Sequence, residues 1–525
     1  MKKLLKQLHQ SYLIRRATDW FAGCQPAIQP TSSRRYSTVE RHLSFLNVLA
    51  VVLLAALAAG CKVGPNYQRP QVSTPAQWGE PMAGGETNAA LVSTAWWKNF
   101  NDPELDSLVE RAVHSNLDLR IAQARVREAR AQSQEAFANL WPTVDASGSY
   151  ARAQESRSQP VLGSLPIPSS VRFDNNVYQA GFDANWEIDV FGGERRGVEA
   201  AKAQLAATKY GRDDVVVTLL GDVARNYIEL RGAQRELAIA YENIKAQEGT
   251  LSIAQDRFAH GLNSDLDVEQ ATTELKTTRA EVPVLETAIE ASIHRLGVLL
   301  GLEPESLMAE LSQPEGIPAA PPMVPAGLPS ELLLRRPDVR VAERQVAAAT
   351  ANIGVAKADL YPKFYLTGLT GAESISADDW FSGGSRFWSV GPTVTWRAFD
   401  FGRIRANIHV QDARQEQALA SYEETTLRAF EDVENALVAY AKEQTRRQEL
   451  AEAVTSAQKS LDLSQRLYTN GLTDFVNVLE AERSLYEAQD ALVQSDRNVS
   501  VDVVTLYKSL GGGWETAGAD VLAHK

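Results

Sequence analysis

Hydrophobic and polar residues along this chain follow two different periods. Between Tyr178 and Val190, apolar residues alternate with polar and acidic ones, which is typical of a β-strand with one apolar face. Between Val216 and Phe258, an apolar residue recurs every seven positions, which indicates a helix packed against its neighbours in a left-handed supercoil. The pattern therefore predicts strands and long helices in one chain.

The seven-residue pattern lies within a predicted helix from Glu194 to His260. At the usual rise per residue this helix is about 100 Å long, more than an ordinary globular domain can house. Gly261 supplies the left-handed residue on which a helix can end. We expect Ser264 to cap a return helix, with Asp267 in the capping-box position, and this helix to end near Gly301.

Two strands are predicted before the long helix, after a helix that runs from Asp102 to Asn139. The second strand, from Tyr178 to Val190, carries its aromatic residues on one face and its acidic residues on the other. Its length suits a tilted crossing of a membrane. A strand of a soluble sandwich would show the same alternation, but the aromatic face and the length favour the membrane.

The segment that ends the long helix occurs twice. RFAHGLNSDLDVEQA recurs 210 residues later within QRLYTNGLTDFVNVLEAER. The match pairs Phe258 with Tyr468 and Gly261 with Gly471. Each copy is predicted to form a sharp turn between two helices, so we expect two helical tips in each chain.

The repeat extends to the strands and their turns. Tyr361-Pro362 corresponds to Trp141-Pro142 at an offset of 220 residues, and Phe401-Gly402 corresponds to Phe191-Gly192 at an offset of 210. The difference of ten residues falls in the loop between the strands, where structural repeats tolerate insertions. The predicted organisation is a leader and signal peptide (1–60), an N-terminal linker (61–101), a first repeat (102–301), a Pro-rich connector (302–336), a second repeat (337–511) and a C-terminal tail (512–525).

The N-terminal region has the pattern of a bacterial lipoprotein signal. Basic residues precede an apolar run from Leu43 to Ala59, which ends directly before Gly60 and Cys61. We expect cleavage before Cys61 and a covalent lipid on its thiol; a cleaved signal with an incidental cysteine is the alternative. The residue after Cys61 is Lys62, whereas lipoproteins retained at the inner membrane commonly carry Asp in this position. The forty residues ahead of the apolar run are long for a signal, so we expect translation to start downstream of Met1.

Composition and motifs argue against several other functions. The net charge is −13, whereas nucleic-acid-binding proteins usually carry a basic field. The sequence has no HExxH motif, nucleophile elbow, phosphate-binding Gly loop or paired metal-binding cysteines. We therefore expect no enzyme activity, no metal and no cofactor beyond the lipid on Cys61.

The predicted strands require a partner. Four strands cannot close a barrel, and open sheet edges are not viable in lipid. Two copies would give eight strands, a barrel normally filled by its own side chains, whereas three copies would give twelve, wide enough to conduct. The fold class predicted is thus an α+β membrane protein: a trimeric twelve-stranded outer-membrane β-barrel continued by a twelve-helix periplasmic α-barrel.

Several long motifs resemble one family. In chain order they are CKVGPNYQRP, WWKNFNDPELDSLVERA, LLLRRPDVRVAERQVAAATANIG and NGLTDFVNVLEAE. They are similar to the outer-membrane factors of tripartite efflux systems, of the TolC and OprM type, in their NodT-like lipoprotein branch. The resemblance covers Cys61 to Trp514.

The resemblance implies a partner set and a location. It implies a homotrimer in the outer membrane, coupled to a periplasmic membrane-fusion adaptor and an inner-membrane pump, commonly of the resistance-nodulation-division type. The function implied is passive exit of drugs or other toxic compounds; which compounds is not readable from the sequence. A lipid-anchored periplasmic coiled-coil scaffold or adaptor without a channel is the alternative. It would explain the seven-residue pattern but not the repeated strands.

The resemblance also implies a periplasmic gate on the second tip. By position, the apolar ring of the family falls on Val476 and the acidic ring on Glu480, with Arg483 as its ion-pair partner. Asn477 stands where some relatives carry another acid, and Asp267 occupies the comparable place in the first repeat. The alternative is that Glu480 and Arg483 are solvated helix charges.

The aromatic residues before the turn glycines have two possible roles. Phe258 precedes Gly261, and Tyr468 precedes Gly471. They either pack the helical hairpin, which we favour, or contact the adaptor.

Overall fold

The structure is a computed structural model that describes residues 61–79, 86–87, 95–154, 174–321, 324–325 and 327–515. Residues 61–525 form one compact unit. The lipoprotein signal predicted within residues 1–60 lies outside the described residues, and so does most of the predicted C-terminal tail.

The described part of the chain combines long helices with one four-stranded sheet, which confirms the predicted α+β class. Its strands and α-helices are, in chain order, β1 (Glu86–Thr87), α1 (Pro103–Ser115), α2 (Leu117–Ala138), β2 (Thr143–Gln154), β3 (Asp174–Ile188), α3 (Gly193–Ala259), α4 (Asp265–Leu299), α5 (Met308–Leu311), β4 (Val324–Pro325), α6 (Pro329–Arg335), α7 (Pro337–Ala358), β5 (Lys363–Ser374), β6 (Arg386–Thr395), α8 (Arg403–Thr469) and α9 (Phe475–Ser509). Short 3₁₀ helices cover Trp96–Phe100, Pro304–Leu307 and Gly383–Ser385. None of the described helices is long and apolar enough to cross a membrane.

The predicted long helix is confirmed and occurs twice. Helices α3 and α8 each contain 67 residues, and the return helices α4 and α9 each contain 35. Both long helices begin after a left-handed glycine, Gly192 or Gly402.

The prediction of a single helix from Asp102 to Asn139 is wrong, because the helix is interrupted at Asn116. The backbone of Asn116 has φ −58° and ψ 133°, outside the helical region. Its Oδ1 accepts a hydrogen bond from the Leu119 amide at 2.9 Å, which caps α2, and its Nδ2 donates to the Leu299 carbonyl at 2.8 Å. The break thus depends on a distant helix end, which local sequence does not reveal.

The four long strands form one antiparallel sheet in the order β2-β3-β5-β6. Directly opposed residues share a face of a sheet, so the pairing assigns every side chain to a side. One face carries mostly apolar or small residues from all four strands: Val144, Ala146, Tyr150, Tyr178, Phe182, Trp186, Phe364, Leu366, Trp388, Val390 and Val394. The opposite face carries Asp145, Asp183 and Glu187 among mostly polar residues. The predicted alternation is confirmed.

The two halves anchor their strands to their helices in the same way. Trp186 Nε1 donates to the Leu140 carbonyl at 2.9 Å, and Trp396 Nε1 donates to the Leu360 carbonyl at 3.1 Å. These tryptophans are 210 residues apart, and the carbonyls are 220 apart, in agreement with the two offsets of the sequence.

The main hydrophobic core lies midway along the long helices. There Leu220 and Tyr227 of α3 pack with residues of α1, α4, α7, α8 and α9. Trp96 stacks on Tyr507 at 5.3 Å between ring centroids. The connector 302–336 is not purely extended, since it contains α5, α6 and β4, and β4 pairs in parallel with β1 of the N-terminal linker.

The N-terminal segment 61–79, which we call the strap, is fixed by one buried arginine. Arg196 of α3 is fully buried, and its guanidinium donates to the carbonyls of Val63 and Gly64 and to Asn66 Oδ1 at 2.9–3.1 Å. Gly64 has φ +89°, and a Cβ there would lie 2.5 Å from Gly354 Cα. The close approach requires glycine in this position of the CKVGPNYQRP motif.

Candidate functional site

The two helical tips are built by the same turn. Gly261 and Gly471 have φ of 68° and 71°, and each stops a long helix in the left-handed conformation. The amides of Gly261 and Leu262 donate to the carbonyls of Phe258 and Arg257, both at 2.9 Å. Gly471 and Leu472 repeat both bonds at the second tip. This is the Schellman arrangement, and it satisfies the carbonyls that a helix end leaves open.

The start of the first return helix differs from the prediction. Ser264 is the N-cap residue of α4, but its side chain makes no capping hydrogen bond, so the predicted capping box is wrong. Instead, the Ser264 hydroxyl faces Asp267 Oδ1 at 3.5 Å, and the Asp267 amide donates to the Ser264 carbonyl. Asp474 at the N-cap of α9 likewise makes no side-chain capping bond.

The two tips of one chain pack against each other through Tyr468. Its ring is 5% exposed and lies 5.2 Å from the Phe475 ring. From the first tip, the Arg257 guanidinium lies 4.6 Å from the centroid of the Tyr468 ring, and Asn263 Nδ2 donates to the Tyr468 hydroxyl at 3.3 Å. Phe258, the counterpart of Tyr468, is 46% exposed. The two aromatic residues therefore have different surroundings.

The predicted gate residues form an exposed stripe along the first turns of α9. Val476, Asn477, Glu480 and Arg483 are all exposed in the chain. Arg483 Nη2 lies 3.4 Å from Glu480 Oε1, and Arg483 Nε lies 3.6 Å from Glu487 Oε1. Asn477 Nδ2 donates to Thr473 Oγ1 at 2.8 Å. Asp267 lies at the first tip, and no described contact joins it to this stripe.

The ion pair at this stripe is weak in an isolated chain. The side chains of Glu480 and Arg483 are 69% and 54% exposed. Water screens such a pair, which typically contributes only ~0.3–0.5 kcal/mol between positions on one helix face. The ion pair can contribute more to stability only where a neighbouring surface excludes water from it.

The sequence analysis missed a buried carboxyl beside the stripe. Glu482 is 6% exposed, and it accepts a hydrogen bond from Thr250 of α3, with Gln465 of α8 at 3.5 Å. Its Oε2 has no hydrogen-bond partner among the described residues. Burial raises the pKa of this carboxyl, and the Glu274 carboxylate on α4 raises it further. The signal was its helical spacing from Val478 and Leu485, which are both buried.

The described residues contain no candidate metal site. No group of three or more His, Cys, Asp or Glu side chains there is arranged to hold an ion. The features that the tips present are exposed side chains, surface ion pairs and the turns that end the long helices.

The architecture and the repeated tips are those of a known family. The profile of the outer membrane efflux protein family matches residues 108–302 and 328–512. The chain belongs to this family. The resemblance inferred from the motifs is thereby confirmed.

Individual relatives match along nearly their whole length. Nodulation protein T of Rhizobium leguminosarum bv. trifolii is 32% identical over 458 residues, which cover 87% of this chain and 96% of that protein. The pyoverdine export outer membrane protein OpmQ of Pseudomonas aeruginosa is 33% identical over 468 residues, 89% of this chain and 97% of OpmQ. Among solved structures, the outer-membrane channel OprN aligns with a TM-score of 0.81 and 35% identity, over 87% of this chain and 100% of the OprN chain.

These relatives give the function at the level of the family. The matching family is that of outer membrane efflux proteins, OpmQ is an export protein of the outer membrane, and OprN is an outer-membrane channel; these are transport proteins rather than enzymes. This outer membrane efflux protein is therefore an exit channel of an efflux pump in the outer membrane.

Proposed function

We propose that three copies of this outer membrane efflux protein form a duct, with a twelve-stranded barrel in the outer membrane and an α-barrel below it. The observation that carries the proposal is the four-stranded sheet, whose outer strands β2 and β6 have no further partner within the described residues. Unpaired edges beside lipid are too costly, and three sheets of four strands close a barrel wide enough to conduct.

The faces of the sheet support this arrangement. The apolar face leaves Trp388 and Val390 strongly exposed in the single chain. Lipid would cover this face, while the polar face with Asp183 and Glu187 would line a water-filled pore. A periplasmic scaffold without a channel, the competing function, gives no reason for an exposed apolar sheet.

The position of Cys61 supports a lipid anchor. The Val63 amide donates to the Phe191 carbonyl at 3.1 Å, and Lys62 Cα lies 3.0 Å from where a Cβ on Gly192 would be. Phe191 and Gly192 join β3 to α3, so the strap begins beside the end of the sheet. An acyl chain on the exposed Cys61 would start at the membrane surface and enter the leaflet beside the strands.

We assign the closed end of the duct to the second tip. About a threefold axis, Val476 would form an apolar ring, and Glu480 an acidic ring one turn away. Three carboxylates facing one axis repel each other, and Arg483 lies close enough to offset that repulsion. Asn477 and Asp267 would supply polar contacts around the rings.

The tips also form the proposed docking surface for the periplasmic adaptor. Phe258, Leu262 and Leu266 at the first tip are exposed apolar residues, whereas Tyr468 is buried in the contact between the tips. We therefore assign adaptor contact to Phe258 and the turns at Gly261 and Gly471, and a packing role to Tyr468. An inner-membrane pump of the resistance-nodulation-division type would deliver drugs or other toxic compounds through this adaptor.

The proposal is tested by isolating the protein from outer-membrane fractions. We expect a trimer that resists detergent and dissociates on heating, and discrete conductance steps when this trimer is added to a planar lipid bilayer. Boiled protein is the control, since it should add no conductance. A chain that runs as a monomer without heating and never conducts would support the scaffold instead.

A further inference from the structure

The sheet joins the long helices at two equivalent stretches, which we call the first junction (187–193) and the second junction (397–403). Each position of the first corresponds to one of the second at the offset of 210 residues. Ile188 and Val394 both lie opposite Phe364, so the two junctions leave the same end of the sheet. They therefore lie at one level relative to the membrane that the proposed barrel spans.

The first junction is covered by the strap, which contacts it at Phe191 and Gly192. Asp189 is turned inward there. Its side chain is 10% exposed and accepts hydrogen bonds from the amide and the guanidinium of Arg195 at 2.8 and 3.2 Å. The Phe191 ring stacks on Tyr361, with 4.5 Å between centroids. The first junction thus leaves little of its own surface open.

The second junction has no such cover. Apart from its chain neighbours, no described atom lies within 4 Å of where a Cβ on Gly402 would be. Phe399, which stands in the position of Asp189, is 78% exposed, and Phe401 is 93% exposed. The two rings pack edge to face, with 4.6 Å between centroids. Two neighbouring rings of this size left open indicate a surface that another molecule covers.

The backbone of the second junction is held in a strained form. Phe401 has φ +53°, a left-handed conformation that bulky side chains rarely adopt. Asp400 stabilises this turn, since its carboxylate accepts hydrogen bonds from the amides of Gly402 and Ile404 at 3.0 and 2.8 Å. Strain that is maintained at an exposed aromatic pair points to a functional role for that pair.

The two junctions also differ in charge. The first contains two acids, Glu187 and Asp189, and no basic residue. The second contains Arg397 and Arg403, both exposed, and one acid, Asp400, which is engaged in the turn. Exposed aromatic rings beside arginines are typical of surfaces at the boundary of a membrane, where the rings meet acyl chains and the arginines meet phosphate groups.

The surroundings of the second junction favour lipid as the molecule that covers it. Val394 and Trp396 directly precede it on the apolar face of the sheet, and each is 58% exposed. The aromatic pair is thus continuous with the face that lipid would cover in the proposed barrel. A phosphate headgroup supplies the negative charge that the two arginines attract.

We propose that the second junction binds a phospholipid of the inner leaflet of the outer membrane. The Phe399 ring, supported by Phe401, lies against the acyl chains, and Arg397 and Arg403 bind the phosphate of the headgroup. The first junction would reach the same leaflet through the acyl chain on Cys61, so each repeat contacts the membrane by a different means. This inference rests on the proposed barrel, which places both junctions at the periplasmic surface of the membrane.

Lipid binding by the purified full-length trimer tests this site. Native mass spectrometry with added phosphatidylglycerol should show the lipid bound to wild type. The variant Arg397→Glu, Phe399→Asp and Arg403→Gly, which carries the residues of the first junction at these positions, should bind it about tenfold more weakly or worse. Arg428→Glu with Leu463→Asp, two exposed positions on α8 away from the sheet, is the matched control and should bind as wild type.

A photoreactive residue identifies the bound molecule in intact membranes. Phe399→p-benzoylphenylalanine should give a phospholipid adduct on irradiation, detected by mass spectrometry of the digested protein. The same residue at Leu463 should give none. Millimolar inorganic phosphate should not displace the lipid from wild type, because the acyl chains are part of the contact.

The outcomes separate this site from the proposed duct. Equal lipid affinity in wild type and the triple variant, or displacement by inorganic phosphate, would overturn the site while a conducting trimer remains. A crosslink from position 399 to a second copy in place of lipid would overturn the phospholipid as the bound molecule. If the triple variant does not assemble, Arg403→Gln alone decides: severalfold weaker binding supports the site, and unchanged binding overturns it. A wild-type protein that neither forms a heat-sensitive trimer nor conducts would overturn the duct and this inference with it.

Discussion

At the second tip, two carboxylates lie two residues apart on α9 in opposite surroundings. Glu480 is exposed beside Arg483, whereas Glu482 is buried among α3, α4 and α8. Residues at this spacing point to different sides of a helix. Glu480 can therefore act at a surface between copies, while Glu482 affects how firmly the second hairpin packs on the first.

Glu482 should make the packing of the second tip depend on pH. Below its unfolded pKa, about 4.3, the carboxyl is protonated in both the folded and the unfolded chain, so its ionisation does not lower the free energy of unfolding. Burial raises the folded pKa, so the folded chain binds the proton more tightly. Stability is therefore lost as the pH rises from the unfolded pKa to the raised folded pKa, and it stays lower above it.

Amide hydrogen exchange over residues 475–485 measures this effect, after correction for the intrinsic pH dependence of exchange. We expect protection in the wild-type trimer to fall between pH 5 and pH 8, because the carboxyl loses its proton against the burial that raises its folded pKa. Glu482→Gln should abolish the difference and give high protection at both values. Glu269→Gln, an exposed position on α4, is the control. Equal pH dependence in wild type and Glu482→Gln would show that another group is responsible.

At the scale of elements, the periodicity of the sequence predicted the helices and strands that depend on local sequence pattern. The seven-residue repeat predicted the long helix α3, the glycines that flank it predicted its ends to within one residue, and alternation predicted the faces of the sheet. The break at Asn116 and the hydrogen bond of Glu482 to Thr250 were missed, because both depend on contacts with helices distant in the sequence. The role of Arg196 was missed for the same reason, since its acceptors are more than a hundred residues away.

The strap should come loose when Arg196 is replaced. Arg196→Ala removes three hydrogen bonds that the guanidinium donates to the strap, at the carbonyls of Val63 and Gly64 and at Asn66 Oδ1. Hydrogen bonds from a charged group contribute ~1.5–3 kcal/mol each, so their loss predicts that chymotryptic cleavage after Tyr67 becomes about tenfold faster or more. Limited proteolysis of the folded trimer measures the rate. Arg405→Ala, an exposed arginine near the start of α8, should leave the rate unchanged; equal rates in the two variants would mean that Arg196 does not hold the strap.

At the scale of the whole molecule, the two repeats are alike in their elements and unlike at their tips. Both tips share the Schellman turn, but Glu480 and Arg483 of the second correspond to Gln270 and Thr273 of the first. In the proposed trimer, only three of the six tips then carry the charged pair. The sequence predicted this asymmetry, while the contacts across the axis depend on neighbouring copies and are not readable from one chain.

Single-channel conductance in planar bilayers tests the central claim of a duct closed at the second tip. We predict that the purified wild-type trimer conducts weakly and that Glu480→Ala with Arg483→Ala raises its conductance severalfold, because the substitutions remove the charged ring and its compensating partner. Glu424→Ala with Arg428→Ala, an exposed pair on α8, is the matched control and should behave as wild type. Conductance of the tip variant equal to that of wild type and control would contradict the account.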